Sequence, residues 1–131
     1  MVDSKYLSVK VLMGAIQYAA SQLISLDPEF KKKLAGIDSV TQWKVEPKGP
    51  NSYTIVKNQK IESKMDAIHN KPTYTLVIKD LDTALDIFQA KIDANKAIAD
   101  GRIKVAGDAA KAQKEMFILE MLGKYLGDLR G

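Results

Sequence analysis

The hydrophobic pattern of this 131-residue chain changes its period near residue 37. Before this point, apolar residues from Val9 to Ile24 recur every three or four positions, which is the spacing of one helix face. After it, residues 41–46 alternate between polar and apolar, as a half-buried antiparallel strand does. A chain that carries both patterns in separate segments is predicted to form an α+β fold, with one mostly antiparallel sheet covered on one face by helices.

Two helices are predicted over residues 5–35. Asp3 suits the N-cap of the first helix, because its carboxylate can accept from the unpaired N–H groups of the first turn. Asp27 is predicted to cap the second helix, and Pro28 suits the first helical position, where its missing N–H costs nothing. Gly36 is the expected end of this helix.

Residues 37–106 are predicted to form a five-stranded sheet with inserted helices. The strand assignments rest on alternating patterns and on runs of β-branched and aromatic residues such as TYTLVI, residues 73–78. A helix capped by Asp80 and a short helical turn over residues 94–99 precede the fifth strand. The side chains predicted to face the core are Trp43, Val45, Tyr53, Ile55, Ile61, Met65, Ile103 and Val105.

A last helix is predicted over residues 108–126 and includes the stretch KEMFILEMLGKYL. Its apolar side chains cover most of the helix circumference, although a helix that packs on one side of a domain needs a stripe only a little over 100° wide. The second apolar side is therefore expected to face a ligand cavity, plain core or another protein surface. The predicted element order is α-α-β-β-β-β-α-β-α, in one domain that spans residues 1–131.

The charge and composition exclude few partners. Twenty basic and sixteen acidic residues give a net charge of +4, which permits an anionic partner such as nucleic acid, a membrane surface or a phosphorylated small molecule. Nucleic acid is not expected, because the strand aromatics Trp43 and Tyr53 are predicted to be core residues, not exposed stacking platforms. Transient contact with a membrane surface stays open.

The sequence offers little catalytic chemistry. Cysteine is absent and His69 is the only histidine, so no thiolate nucleophile or cysteine–zinc site can form. Asp82 and Asp86 share a helix face, but first-turn acids that favour the helix dipole explain this pair. We therefore predict no enzymatic activity, no metal site and no cofactor.

The N-terminus is not expected to act as a secretory signal, because Asp3 lies where basic residues are usual. The apolar stretch from Val11 to Ala20 is expected to be too short to cross a bilayer. These two features predict a cytoplasmic protein.

The region from Leu81 to Leu122 contains GRIKVAGD between two helical patterns. This region resembles the signature region of sterol carrier protein type 2 (SCP-2-like) domains. In that family a strand of the form Gly-basic-aliphatic-polar-aliphatic runs into Gly-Asp, here Gly107 and Asp108, and a helix follows. Upstream, TQWKV and SYTIVK resemble strands of the family's sheet in the right order. The resemblance covers roughly residues 37–126.

The resemblance implies a non-catalytic fold that holds acyl chains, fatty acyl-CoA, sterols or phospholipids in an apolar tunnel between sheet and helices. The last helix then acts as a lid. We expect a carrier for long-chain lipids, with fatty acyl-CoA or fatty acid as the first candidates. The residues that we predict to contact the ligand are Phe88, Ile92, Ile103, Val105, Phe117, Ile118, Met121, Leu122 and Tyr125.

Two other functions remain open at this stage. The apolar last helix is also compatible with a protein-interaction module or a homodimer interface. The chain is equally compatible with an accessory domain that presents a lipid to a separate enzyme.

Overall fold

The computed structural model describes residues 3–125, with side chains described through residue 122. The α+β fold predicted from the sequence is confirmed. In chain order, the elements are α1 (Ser4–Leu26), α2 (Pro28–Lys33), β1 (Ser39–Val45), β2 (Asn51–Lys57), β3 (Lys60–Met65), β4 (Tyr74–Ile78), α3 (Leu81–Phe88), α4 (Ala94–Ala99), β5 (Ile103–Gly107), α5 (Ala109–Glu115) and α6 (Phe117–Tyr125).

The sheet has the strand order β3-β2-β1-β4-β5. Strands β1 and β4 pair in parallel, and the other three pairs are antiparallel. The prediction of a mostly antiparallel sheet is therefore confirmed. The central strand β1 carries buried side chains along one face, which we call the inner face, and the helices pack over it.

The register shows which residues share this inner face. Trp43 lies opposite Ser52 on β2 and Leu76 on β4, and directly opposed residues point to the same side of a sheet. Tyr53 and Ile55 therefore lie on the outer face, so their predicted inward orientation is wrong. Both faces of β2 carry apolar residues, and alternation alone cannot choose between them.

Tyr53 has a partner on the outer face. Its ring lies edge-on to His69, with 5.1 Å between ring centroids. The Gln42 side chain is also buried there, and its Oε1 accepts from the backbone N–H of His69 at 2.7 Å. The lone histidine is thus part of the packing between β1, β2 and the loop before β4.

Helix α1 lies across the sheet and buries one face, formed by Val9, Met13, Ile16, Ala20 and Leu23. Its predicted cap is confirmed, because the Asp3 carboxylate accepts from two backbone N–H groups of the first turn. By length and composition alone, this 23-residue helix is apolar enough to cross a membrane. The helix is longer than the Val11–Ala20 stretch considered from the sequence, and its buried face belongs to the core.

The C-terminal segment differs from the single predicted helix. It forms α5 and α6, which Met116 separates. The Met116 N–H donates to the Gln113 carbonyl, three residues back, at 3.4 Å, which is the tighter bonding of a 3₁₀ turn. Residue 126, the predicted end of the helix, lies outside the described residues.

Gly107 and Asp108 join the sheet to α5. Gly107 has φ +99°, and a Cβ there would lie 2.7 Å from the Thr73 carbonyl oxygen. Only glycine fits this approach without distortion. The Asp108 carboxylate then accepts from the Lys111 N–H at 3.0 Å and caps α5. The Gly-Asp pair thereby fixes the point at which α5 crosses the inner face.

Candidate functional site

A mostly apolar cavity lies between the inner face of the sheet and helices α1, α5 and α6. It encloses about 60 Å³. The last helices close it on one side and the buried face of α1 on another. Its lining residues are Met13, Ile16, Gln17, Ala20, Thr41, Trp43, Thr54, Val56, Ile61, Tyr74, Phe88, Glu115, Met116, Ile118, Leu119 and Leu122.

Three of the residues predicted to contact a ligand line this cavity, namely Phe88, Ile118 and Leu122. Phe88 and Leu122 are each 2% exposed. The Phe88 ring packs at 59° against Trp43 on the sheet, with 5.8 Å between centroids. The structure therefore brings the middle helix, the central strand and the last helix together around one space.

The other predicted contact residues lie elsewhere. Ile92 lines a groove on the outer side of α6. Ile103 and Val105 face inward, as predicted, but they line a separate surface groove beside α4 and α5. Phe117 and Met121 are half-buried against the core and do not line the cavity. The side chain of Tyr125 lies outside the described residues.

The sequence reasoning missed a polar cluster at the cavity wall. Glu115, only 5% exposed, accepts from the Ser39 hydroxyl at 2.6 Å and from the Tyr74 hydroxyl at 2.8 Å. Thr41 also lines the cavity and hydrogen-bonds to Tyr74. In the part of the chain that the structure describes, no cationic side chain forms an ion pair with Glu115.

The Tyr74 hydroxyl stays protonated in this setting. Burial raises the pKa of Tyr74 far above its ordinary value, and the negative charge of Glu115 adds to the rise, while the hydrogen bond with Thr41 opposes it. A phenol that keeps its proton can continue to donate to the carboxylate. The cluster is therefore a buried acceptor that hydroxyl groups of the protein hold in place.

Gln17 brings a second polar group to the same cavity. It projects from the buried face of α1 and is 8% exposed. Its Nε2 donates to the Ser52 hydroxyl, whereas its Oε1 has no hydrogen-bond partner. A buried amide atom without a partner is uncommon, because its lost hydration is not replaced.

One signal in the sequence points to Glu115. Ala112, Met116 and Leu119 follow helical spacing on one face, and Glu115 lies beside them on the same side of α5. A carboxylate on an apolar face needs internal hydrogen-bond donors. No pattern identifies those donors, because Ser39 and Tyr74 are distant in sequence.

A second, open groove of about 400 Å³ lies outside α6, against the loop between α3 and α4. Met116 and Leu119 line both this groove and the inner cavity. These two side chains therefore form the partition between the two spaces. Lys91 and Glu120 lie at the rim of the groove.

The described residues hold no group of three or more histidine, cysteine or acidic side chains that suits a metal ion. The acidic pair considered from the sequence has another role, since Asp82 pairs with Lys5 of α1 at the surface. Asp80 caps α3, and its hydrogen bonds to Thr83 lower the pKa of its carboxyl.

Comparisons with known proteins agree with this fold. Residues 20–120 match the sequence profile described as the SCP-2 sterol transfer family. No curated protein matches the chain with significant sequence similarity.

Several solved structures share the fold at low sequence identity. Sterol Carrier Protein 2 from Yarrowia lipolytica, in its apo form, aligns with a TM-score of 0.63 at 16% identity, over 92% of this chain and 94% of that one. Palmitated SCP2L2 from Aedes aegypti aligns with a TM-score of 0.62 at 18% identity, over 84% and 92%.

The inverting sec-alkylsulfatase Pisa1 from Pseudomonas sp. aligns with a TM-score of 0.55 at 21% identity. The match covers 67% of this chain but 14% of the sulfatase. This chain thus corresponds to a small part of that larger protein.

Proposed function

Because the chain belongs to the SCP-2 sterol transfer family, we propose that it is a non-catalytic binding and carrier protein for long-chain lipids. The observation that carries the proposal is the apolar cavity between the sheet, α1 and the last two helices. Each methylene that leaves water for such a space gains roughly 0.8 kcal/mol. A long alkyl chain therefore has a large driving force to enter.

Lipid entry requires the cavity to grow. Its volume of about 60 Å³ is far below the roughly 300–1,000 Å³ of ordinary small-molecule pockets. We propose that Met116 and Leu119 move apart on binding and join the cavity to the outer groove of about 400 Å³. The break between α5 and α6 at Met116 is a suitable hinge, because a tight turn already interrupts the regular helix there.

Fatty acid and fatty acyl-CoA are the first ligands to test. The sequence favours them, and the relative from Aedes aegypti is palmitated. A sixteen-carbon chain gains on the order of 10 kcal/mol on burial, which can offset the displacement of a few side chains of α6. The groove supplies Lys91 at its rim as a cation for an anionic head group.

Helix α1 supports transient contact with a membrane surface. Leu7, Val11 and Tyr18 are 50%, 58% and 68% exposed, and their spacing places them on one face of the helix. Such an exposed apolar row can enter the interfacial region of a bilayer.

The test begins with protein purified from cells, denatured and extracted for lipid mass spectrometry. An acyl species in stoichiometric amount supports the proposal. An empty extract, no displacement of a fluorescent fatty acid from the purified chain, and a concentration-dependent dimer would favour a protein-interaction module in place of a carrier.

A pair of variants locates the ligand. Ala20 lines the cavity and is 4% exposed, whereas the adjacent Ala19 does not line it. Ala20→Leu fills the space and should weaken lipid binding, while Ala19→Leu adds the same atoms to the same helix and should not. Equal lipid affinity in the two variants would show that the lipid does not occupy this cavity.

A second candidate is an accessory domain that presents lipid to a separate enzyme. The match to a small part of the alkylsulfatase chain favours it, since the fold there accompanies a catalytic region. Lipid transfer between vesicles separates the two functions. A carrier moves lipid by itself, whereas an accessory domain binds lipid and does not transfer it without the enzyme.

A further inference from the structure

We propose that the polar cluster around Glu115 binds the hydroxyl group of an uncharged, single-chain lipid. The inference rests on the proposed function and specifies the head group that the cavity selects. Two independent features of the cavity wall support it, namely a buried carboxylate and an unpaired amide, and both are best satisfied by a group that donates a hydrogen bond.

The Glu115 carboxylate has unused capacity to accept. It has two oxygens with about four lone-pair positions, and the Ser39 and Tyr74 hydroxyls occupy one position on each oxygen. A buried carboxylate that lacks a cation is stabilised by each further donor. A lipid hydroxyl that reaches the cavity supplies such a donor.

Gln17, which projects into the same cavity from α1, favours the same kind of ligand group. Its unpaired Oε1 also requires a donor. If the amide is turned over, Oε1 accepts from Ser52 and Nε2 becomes the unpaired atom. A hydroxyl satisfies either orientation, because it both donates and accepts. A carboxylate satisfies only one of them.

The anionic lipids fit this wall poorly. A fatty acid carboxylate beside Glu115 places two like charges together in a mostly apolar space, and such pairs repel strongly. An acyl-CoA keeps its head group in water, so its terminal methyl would face Glu115 and Gln17 and leave the free amide atom of Gln17 without a partner. A long-chain alcohol or monoacylglycerol avoids both penalties.

The experiment compares ligands of equal chain length on the delipidated full chain. 1-Hexadecanol, 1-monopalmitoylglycerol, palmitate and palmitoyl-CoA compete with one fluorescent lipid at neutral pH. At least one of the two hydroxyl lipids should bind about tenfold or more tightly than palmitate, because close like charges are costly at an interface. Glu115→Gln removes the charge and should reduce this preference to about threefold or less.

Glu62→Gln is the matched control, because Glu62 is an exposed residue of the edge strand β3, on the outer face opposite Ile55. It should keep the wild-type preference. If Glu115→Gln does not fold, Gln17→Met tests the second polar group, and it should weaken binding of the hydroxyl lipids more than binding of palmitate.

The outcomes separate this inference from the proposed function. If palmitate or palmitoyl-CoA binds as tightly as the hydroxyl lipids, the inference is wrong, but the proposed lipid-carrier function is unaffected. The inference also fails if Glu115→Gln and Gln17→Met both keep the wild-type preference and affinity. Failure of all four lipids to bind overturns the carrier function as well.

Discussion

The Tyr74 hydroxyl donates a 2.8 Å hydrogen bond to Oε1 of Glu115 inside the apolar layer between the sheet and α5. Ser39 donates to the other carboxylate oxygen at 2.6 Å. Tyr74 of β4 lies opposite Thr41 of β1, and Ser39 is two residues before Thr41 on the same face. The hydrogen bonds of the carboxylate therefore depend on the parallel pairing of these strands. A polar interaction in the core thereby connects the sheet to the segment that closes the cavity.

The raised pKa of Tyr74 predicts a loss of stability at high pH. An unfolded tyrosine loses its proton near pH 10, whereas buried Tyr74 keeps its proton beyond that pH. The unfolded state therefore binds fewer protons above pH 10. The contribution of the protonated Tyr74 to the free energy of unfolding is fully present below pH 10. Above pH 10 it falls by up to about 1.4 kcal/mol per pH unit.

Tyr74→Phe should remove this pH-dependent loss. Ser39→Ala is its control, because each variant deletes one donor to Glu115 and should cost about 1–3 kcal/mol at pH 7, but only the first deletes a titrating group. In urea unfolding between pH 8 and pH 11.5, the cost of Tyr74→Phe should shrink above pH 10 and that of Ser39→Ala should not. If the stability costs of the two variants change with pH in the same way, the loss of stability above pH 10 does not come from Tyr74.

Gly107 should be among the glycines least tolerant of substitution. Gly101 and Gly107 both have positive φ, +84° and +99°, so alanine is strained at either, by roughly 1–2 kcal/mol. A Cβ at Gly107 also meets the Thr73 carbonyl oxygen at 2.7 Å, whereas the space around Gly101 is open. Gly107→Ala should therefore cost at least about 1 kcal/mol more than Gly101→Ala, as urea unfolding can measure. Equal stability costs for the two substitutions would show that β4 shifts to make room for the added methyl group.

The sequence predicts the order of the elements well because helix and strand periods are local properties. Each capping aspartate predicted from the sequence, namely Asp3, Asp27 and Asp80, accepts from a first-turn N–H, and Asp108 does the same for α5. Which face of a strand points toward the core is harder to predict when both faces carry apolar residues. On β2, Val56 and Ile55 are equally β-branched, and only the pairing with β1 directs Val56 inward.

The candidate site is harder to predict because it depends on contacts between distant residues. Phe88, Ile118 and Leu122 are found because they belong to strongly apolar helix faces. Glu115 is missed, since its donors lie 76 and 41 residues away in sequence. The break at Met116 is also hidden, because no proline or glycine marks it.

Trp43 should report ligand binding directly. It is the only tryptophan, it lines the cavity and it is 8% exposed. A lipid with bromine atoms on its alkyl chain should therefore quench its fluorescence on contact. Aqueous iodide should quench weakly with or without lipid, because the indole stays buried. Two results would show that the ligand does not contact Trp43. One is strong quenching by a lipid without bromine, and the other is no quenching by a brominated lipid that displacement shows to be bound.

Leu119 should control the rate of lipid entry. It lines both the cavity and the outer groove. Leu119→Ala removes part of the side chain that separates the two spaces, so it should increase the rate of lipid association severalfold. Because Leu119 is half-buried, the stability cost should be about 2 kcal/mol or less, at the lower end of large-to-small core changes. Stopped-flow quenching of Trp43 by a brominated lipid measures the rate.

Met121→Ala is the control for this experiment. Met121 lies on the same helix and is half-buried against the core, but it lines neither space. Met121→Ala should leave the association rate at the wild-type value, because truncating this side chain does not connect the groove to the cavity. If both variants associate as slowly as wild type, or if both accelerate equally, lipid does not enter between the groove and the cavity, and another part of the wall must open.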